Sequence, residues 1–240
     1  MKAVLVIAKR ELQAAFDSAA AWVVIAALPA ITALFFFVSG PFFDQGVASM
    51  RAWFSLMPIL MVLIAPALSM RMWSEELRSG TFELLRSYPF SVIQLVVGKF
   101  LACWSLLAIS LLFTLGVPLS IAALGDLDWG PVIGGYVGTM LMGGAAISCG
   151  LLFSALTRNQ VVAWLLAAAV LLVFLLVGAA ATSQAMPPSL GRILLGLDWS
   201  LHFEATTRGV LAFRDLAFFC SFGLAFLGFN ALALQLRRLQ

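Results

Sequence analysis

Charged side chains are few in this sequence, and they are not spread evenly. The stretch RMWSEELRSGTFELLRSYPFSVIQLVVGKF, residues 71–100, holds seven of them (Arg71, Glu75, Glu76, Arg78, Glu83, Arg86 and Lys99), against 14 Lys and Arg and 11 Asp and Glu in the whole chain. The chemistry open to such a cluster is ionic recognition, in which charged groups set the register and choice of a partner surface. Bond-making chemistry has less to work with. The sequence contains no HExxH, no paired aspartates inside an apolar run and no Ser/His constellation, and it lacks the GxxxxGK[ST] phosphate loop. His202 is the only histidine; with no ligand cluster around it, a structural role is expected. Cys103, Cys149 and Cys220 fall inside apolar runs without metal-ligand spacing, and read as small packing residues.

The elements that must position these groups are membrane spans. The 240 residues are 63% hydrophobic and 10% charged, where a soluble domain carries about 25% charged residues, and the mean hydropathy is +1.07. A formal charge of +3, scattered along the chain, does not suggest nucleic acid. A bilayer core of about 30 Å needs about 20 helical residues. The sequence predicts one all-α integral membrane domain over residues 1–240, with spans near 19–39, 52–71, 97–124, 131–156, 160–181 and 214–236. Their interiors are expected to bury no Asp, Glu, Lys, Arg or His, which weighs against a proton-coupled carrier. The run Val4–Ala8 is too short for the core of a cleavable signal, so the first long run reads as an uncleaved anchor. Residues 2–17 are too polar to span. At helical spacing Leu5, Ala8, Leu12 and Phe16 share one arc, opposite Lys2, Lys9, Arg10, Gln13 and Asp17, which predicts an amphipathic helix on the membrane surface.

Within the opening stretch, Thr81 can cap a short helix over 82–88, with Glu83 in its first turn. Gly80 permits a chain reversal after span two, and Pro89 disfavours a helical Tyr88. SVIQ, Ser91–Gln94, fits a capping box opening span three. The product is a short rigid helix at the cytoplasmic surface with Glu75, Glu76 and Arg78 beside it, suited to docking a soluble partner. A solvated loop is the plainer alternative. Span four, GPVIGGYVGTMLMGGAAISCG, carries Gly134 and Gly138 in a small-residue strip that lets helix backbones approach. Packing within the chain and a surface for a second copy or a pathway both fit it. Beyond span five, LDWSLHFEATTRGVLAFRD fits a short helix capped by Ser200, with Glu204 and Arg208 paired at i,i+4.

The run EELRSGTFELLRSYPFSVIQLVVGKF resembles the E-E-x-x-G-T-x-E-x-L-L…P…GK segment of type 2 ABC transporter (ABC-2) permeases, and most of all the gliding-motility-associated, GldF-like permeases and their nitrous-oxide-reductase-maturation relatives. LFSALTRNQVVAW at 152–164 and HFEATTRGVLAFRD at 202–215 agree with it, in the right order. SYPFS stands where S-x-P-V-[ST] is commoner. The resemblance implies a six-span subunit with an N-terminal elbow helix and a coupling helix in the first cytoplasmic loop, seated in a cleft of a separate ATPase subunit. Glu75, Glu76, Arg78, Gly80, Thr81 and Glu83 would form that docking surface, with Glu76 and Glu83 making its polar contacts. The chain itself would carry no enzyme activity and no cofactor, since ATP and Mg would sit on the ATPase. The implied partners are that ATPase, a second permease copy or a related permease, and a membrane subunit with a large periplasmic domain. The implied work is ATP-driven export across a bacterial inner membrane. The alternative is a subunit that energises a periplasmic partner without moving a solute.

Lys and Arg set the expected orientation. With both termini in the cytoplasm, the inner segments hold ten of them and the outer segments only Arg51, Arg192, Arg208 and Arg214, as the positive-inside bias requires. A cysteine placed at Gln45 or Ser189 should therefore react with an impermeant thiol reagent from outside intact cells, and one at Ser79 should not. Labelling of Ser79→Cys from outside would reverse the topology.

Overall fold

The computed structural model describes residues 2–39, 49–82, 90–181 and 187–238. It is 87% helical, with no strand among the described residues, and six helices are long and apolar enough to cross a membrane. The helices are α1 (Lys2–Phe16), α2 (Ala19–Leu34, continued by a π-helical turn, Phe35–Ser39), α3 (Arg51–Phe54), α4 (Met57–Ser69), α5 (Arg71–Ser79), α6 (Val92–Phe113), α7 (Gly116–Leu124), α8 (Trp129–Leu156), α9 (Gln160–Ala181), α10 (Pro188–Leu195), α11 (Trp199–Thr207) and α12 (Phe213–Arg238). This is the six-span all-α architecture expected from the apolar runs.

The second span departs from its predicted end at 71. Met70 keeps right-handed helical angles (φ −57°, ψ −31°), and α4 and α5 run on as one rod to Ser79. Ser154 of α8 enters the joint. Its hydroxyl donates to the Met70 carbonyl (2.7 Å) and accepts from the amides of Trp73 (3.0 Å) and Ser74 (3.1 Å), so buried backbone groups at the junction keep partners. The rod stops at Gly80, whose φ of 75° belongs to the left-handed region where glycine closes helices. Glu75, Glu76 and Arg78 thus extend the span instead of sitting in a loop after it. The third span begins earlier than 97. The predicted capping box is present, with Ser91 Oγ accepting from the Gln94 amide (3.2 Å) and the Gln94 side chain accepting from the Ser91 amide (3.1 Å). It starts α6 at Val92 and brings Lys99 inside the helix. Further along the chain, Pro118 has no amide to offer the Thr114 carbonyl. The Val117 amide takes that carbonyl instead (3.0 Å), and Thr114 Oγ1 meets Tyr136 OH (2.8 Å), which marks the α6–α7 joint.

The glycine-rich α8 lies at the centre of the bundle. A Cβ built on Gly134 would overlap the Thr206 carbonyl oxygen. One on Gly138 would overlap the Thr206 hydroxyl, one on Gly135 the Phe54 ring, and one on Gly143 a Leu107 methyl. Gly150 is closed off in the same way by Ser69 and Pro66. The strip therefore packs within the chain, and its upper part receives the short helix α11. That helix is capped by Asp198 accepting from the Ser200 amide (2.9 Å), not by Ser200 as the sequence suggested. The expected Glu204–Arg208 pair is present. His202 has the structural place expected of it: Nδ1 lies 2.6 Å from Asp215 Oδ1, Nε2 lies 3.1 Å from the Gly196 carbonyl oxygen, and the ring stacks on Phe218. Asp215 is a buried acid in the last span helix, and Lys99 a buried base in the third. The expectation that the spans bury no ionisable group is therefore wrong at these two positions.

Ion pairs and polar side chains gather at one end of the bundle, where α1, the tip of the rod, the start of α6, the α8–α9 junction and the end of α12 meet. At the other end α10 and α11 close over α8 and α9. Gly138→Leu should push α11 off α8, at a cost of about 1–3 kcal/mol from overpacking. It should be read as a lowered thermal unfolding midpoint in detergent, with Gly138→Ala lowering it less.

Candidate functional site

The charged rod meets the N-terminal helix through a buried ion cluster. In α1 the polar residues Lys2, Lys9, Arg10 and Gln13, with Asp17 just after it, are exposed as predicted, but Leu5 is exposed too, and Ile7 is the buried residue. Val4, Ile7, Ala8 and Glu11 recur at i, i+3, i+4 and i+7 and mark the inward face. The helix lies against α6 because Gly98 leaves room for it. A Cβ at Gly98 would sit 2.6 Å from Ile7 Cγ2 and 3.3 Å from the Val4 carbonyl oxygen.

The next residue, Lys99, is 1% exposed. Its ammonium donates to Glu76 Oε1 (2.7 Å), the Met72 carbonyl (2.9 Å) and Glu11 Oε1 (3.2 Å). An ammonium has three protons, and here each has an acceptor. The Trp73 ring lies 4.8 Å from Nζ and adds a cation–π contact. Arg10 closes the outer side, 2.6 Å from Glu11 Oε1 and 3.8 Å from Glu76 Oε1. Two carboxylates and two cations thus balance over three chain segments. The carboxylates are nearly buried, at 12% and 15% exposure. Burial pushes the Glu11 carboxyl upward, but Lys99 and Arg10 outweigh it and hold it below the ordinary carboxylate value. The second oxygen of Glu76, Oε2, is buried with no hydrogen-bond partner among the described residues.

The predicted docking residues divide. Glu76 faces inward to Lys99, a position that a partner chain does not reach without breaking the cluster. Glu75 is exposed, and its Oε2 accepts from Gln160 at the start of α9. Arg78, Gly80 and Thr81 are exposed at the tip. Ser79 Oγ donates to the Glu75 carbonyl (2.8 Å) and lies 2.9 Å from Thr81 Oγ1, which shapes the turn. Phe82 folds back onto Trp73, edge to face at 6.3 Å between ring centres. Glu83 and the helix expected over 82–88, past Phe82, lie outside the described residues. Gly134 and Gly138 are far from this cluster, under α11. Sequence reasoning missed Glu11 and Lys99. The available signals were a lone lysine next to a glycine in an apolar helix, and an acid one turn after Ile7 on the apolar face of α1.

The family model for ABC-2 family transporter proteins matches residues 41–199, from before α3 to the first residue of α11. No curated protein matches the chain.

Removing one member of a buried charge cluster leaves the rest uncompensated, which costs about 3–5 kcal/mol. Lys99→Met should therefore destabilise the protein strongly in detergent unfolding. The triple variant Glu11→Gln/Lys99→Met/Glu76→Gln, which removes the three buried charges together and leaves only the exposed Arg10, should recover most of the loss.

Proposed function

We propose, from the premise that this chain belongs to the ABC-2 family of transporter proteins and is the membrane subunit of an ABC transporter, that it is driven by a separate ATPase chain docking on the tip of the α4–α5 rod. The contact surface comprises Arg78, Gly80, Thr81 and the segment that follows, with Glu83 its principal acid. Glu75 flanks that surface. Glu76 acts behind it, through Lys99.

The observation that carries this reading is mechanical. The second span does not end with its apolar run at Ser69. It continues as helix to Gly80, and at that height it is clamped by Glu76–Lys99–Glu11 to both α1 and the third span. A push on the tip is therefore delivered to three helices at once. ATP binding closes the ATPase subunits, the tip moves with them, and the spans tilt as near-rigid bodies between inward and outward access. Both termini face the cytoplasm of a bacterial cell, as the segregation of Lys and Arg supports. The working unit contains two permease chains, this one twice or paired with a relative, and two ATPase chains, with ATP and Mg bound on the latter. The motif over 75–99 favours the gliding-motility-associated branch. The direction is export, and the apolar, Phe-rich spans suit an amphipathic cargo.

The experiment is copurification. The double variant Arg78→Glu/Glu83→Lys reverses one base and one acid of the proposed contact while leaving the buried cluster intact. It should retain at least about tenfold less ATPase chain than wild type in mild detergent, since unmatched charges at an interface are costly, with an unchanged unfolding midpoint. Wild-type retention together with wild-type coupling of hydrolysis to transport would remove the tip from the interface.

A further inference from the structure

Two clefts at the α1 end run into one another. The first, of about 240 Å³, lies between α1, α2 and the rod; Ser18, Arg71 and Glu75 stand in its polar part beside the ion cluster. The second, of about 360 Å³, is walled entirely by apolar residues of α2, α4 and the start of α9, among them Val23, Ala27, Leu63 and Trp164. Val24, Ala67 and Met70 line both. The two clefts thus make one groove with a charged head and an apolar tail. Trp164 walls the tail, its indole N–H donating to the Leu63 carbonyl (3.0 Å), and at the head end the Trp22 indole N–H donates to the Phe16 carbonyl (2.9 Å). A tryptophan placed as Trp22 is, at the head end of the groove, marks the membrane–water interface, which puts the charged head at headgroup depth and the tail alongside the acyl chains.

The charges in the head are unevenly matched. Glu11 and Glu76 are neutralised by Lys99 and Arg10. Arg71 donates to Ser18 Oγ (2.5 Å), but no carboxylate lies within ion-pair distance of it among the described residues. No cation pairs with Glu75 among them either. The two sit one helical turn apart on α5, both lining the groove, and no ion pair joins them. A guanidinium binds phosphate strongly through its fork of N–H donors, and a carboxylate calls for a cation that carries protons.

We infer that this groove binds one phospholipid with a primary ammonium headgroup. Its phosphate lies on Arg71 and Ser18, its ammonium on Glu75, and one acyl chain in the apolar tail between α2 and α4. An anionic phospholipid would satisfy Arg71 and leave Glu75 facing more negative charge. A quaternary ammonium would bring Glu75 no hydrogen-bond donor. The inference rests on the membrane setting of the spans and not on ATPase docking, so either can fail alone.

The test uses the full chain, stripped of lipid in detergent and titrated with phosphatidylethanolamine, phosphatidylglycerol and phosphatidylcholine by native mass spectrometry. Phosphatidylethanolamine should bind about tenfold tighter than the other two, the scale of one charge-assisted contact. Arg71→Ala should weaken it about tenfold, whereas Arg71→Lys should retain most of the binding and so report that the fold tolerates change at this site. Glu75→Gln should abolish the preference over phosphatidylcholine. Ala27→Phe, which fills the tail and leaves the head untouched, should also weaken binding. Equal binding of the three lipids by wild type, or unchanged binding by Arg71→Ala, would overturn the inference. So would an efficient disulfide between two copies carrying Ala27→Cys, which would assign the groove to a second copy of the chain.

Discussion

A lysine ammonium withdrawn almost wholly from water must be matched or it will not stay charged and buried. Lys99 meets that demand with acceptors from two other segments, Glu11 of α1 and both Met72 and Glu76 of α5. Much of the local architecture follows. Helix α5 must continue past Arg71, because only a helical path places the Met72 carbonyl and the Glu76 carboxylate, four residues apart, on the same side. Helix α1 must lie close enough for a short acid to reach, and Gly98 makes room by accepting Ile7. The capping box at Ser91 sets where α6 begins, and with it the depth of Lys99 in the second turn.

The opposite end of the molecule is held by other means. There the central helix α8 offers glycines, and neighbours approach until their side chains occupy the space a Cβ would need. Such contacts are individually weak and depend on shape. The buried His202–Asp215 pair and the aromatic ladder of Trp199, Phe218, Phe219 and Phe222 tie α11 to α12. The two ends thus differ in kind: an ionic clamp beside the proposed ATPase contact, and close van der Waals packing at the far side. In the proposed mechanism the clamp transmits force, while the glycine-lined packing of α8 keeps the remaining helices registered as they tilt.

The spans were legible because each apolar run matches the thickness of a bilayer, and that constraint is local in sequence. The Ser91–Gln94 capping box and the Glu204–Arg208 pair were legible for the same reason, since each is written within four residues. The Lys99 cluster was not, because its members lie 23 and 88 residues apart, and nothing in local spacing couples them. The extension of the second span is not legible, because charged composition suggests a loop; its helical course depends on Ser154 and Lys99, which come from distant helices. The cap of α11 lies two residues before the expected Ser200 because Asp198 and Ser200 are both good caps, and Gly178 of α9, whose missing side chain leaves room for the Asp198 carboxylate, belongs to another helix.

The central claim is that α1 and the rod move as one body when the partner ATPase acts. Spin labels at the exposed positions Gln13 and Ser79 measure the distance between them directly, by pulsed electron resonance on the assembled transporter with and without ATP. The account predicts a single narrow distance distribution that does not shift between the two states, and that broadens when Lys99 is replaced by Met. A shift on ATP binding in the wild-type protein, or a distribution indifferent to the loss of Lys99, would contradict it.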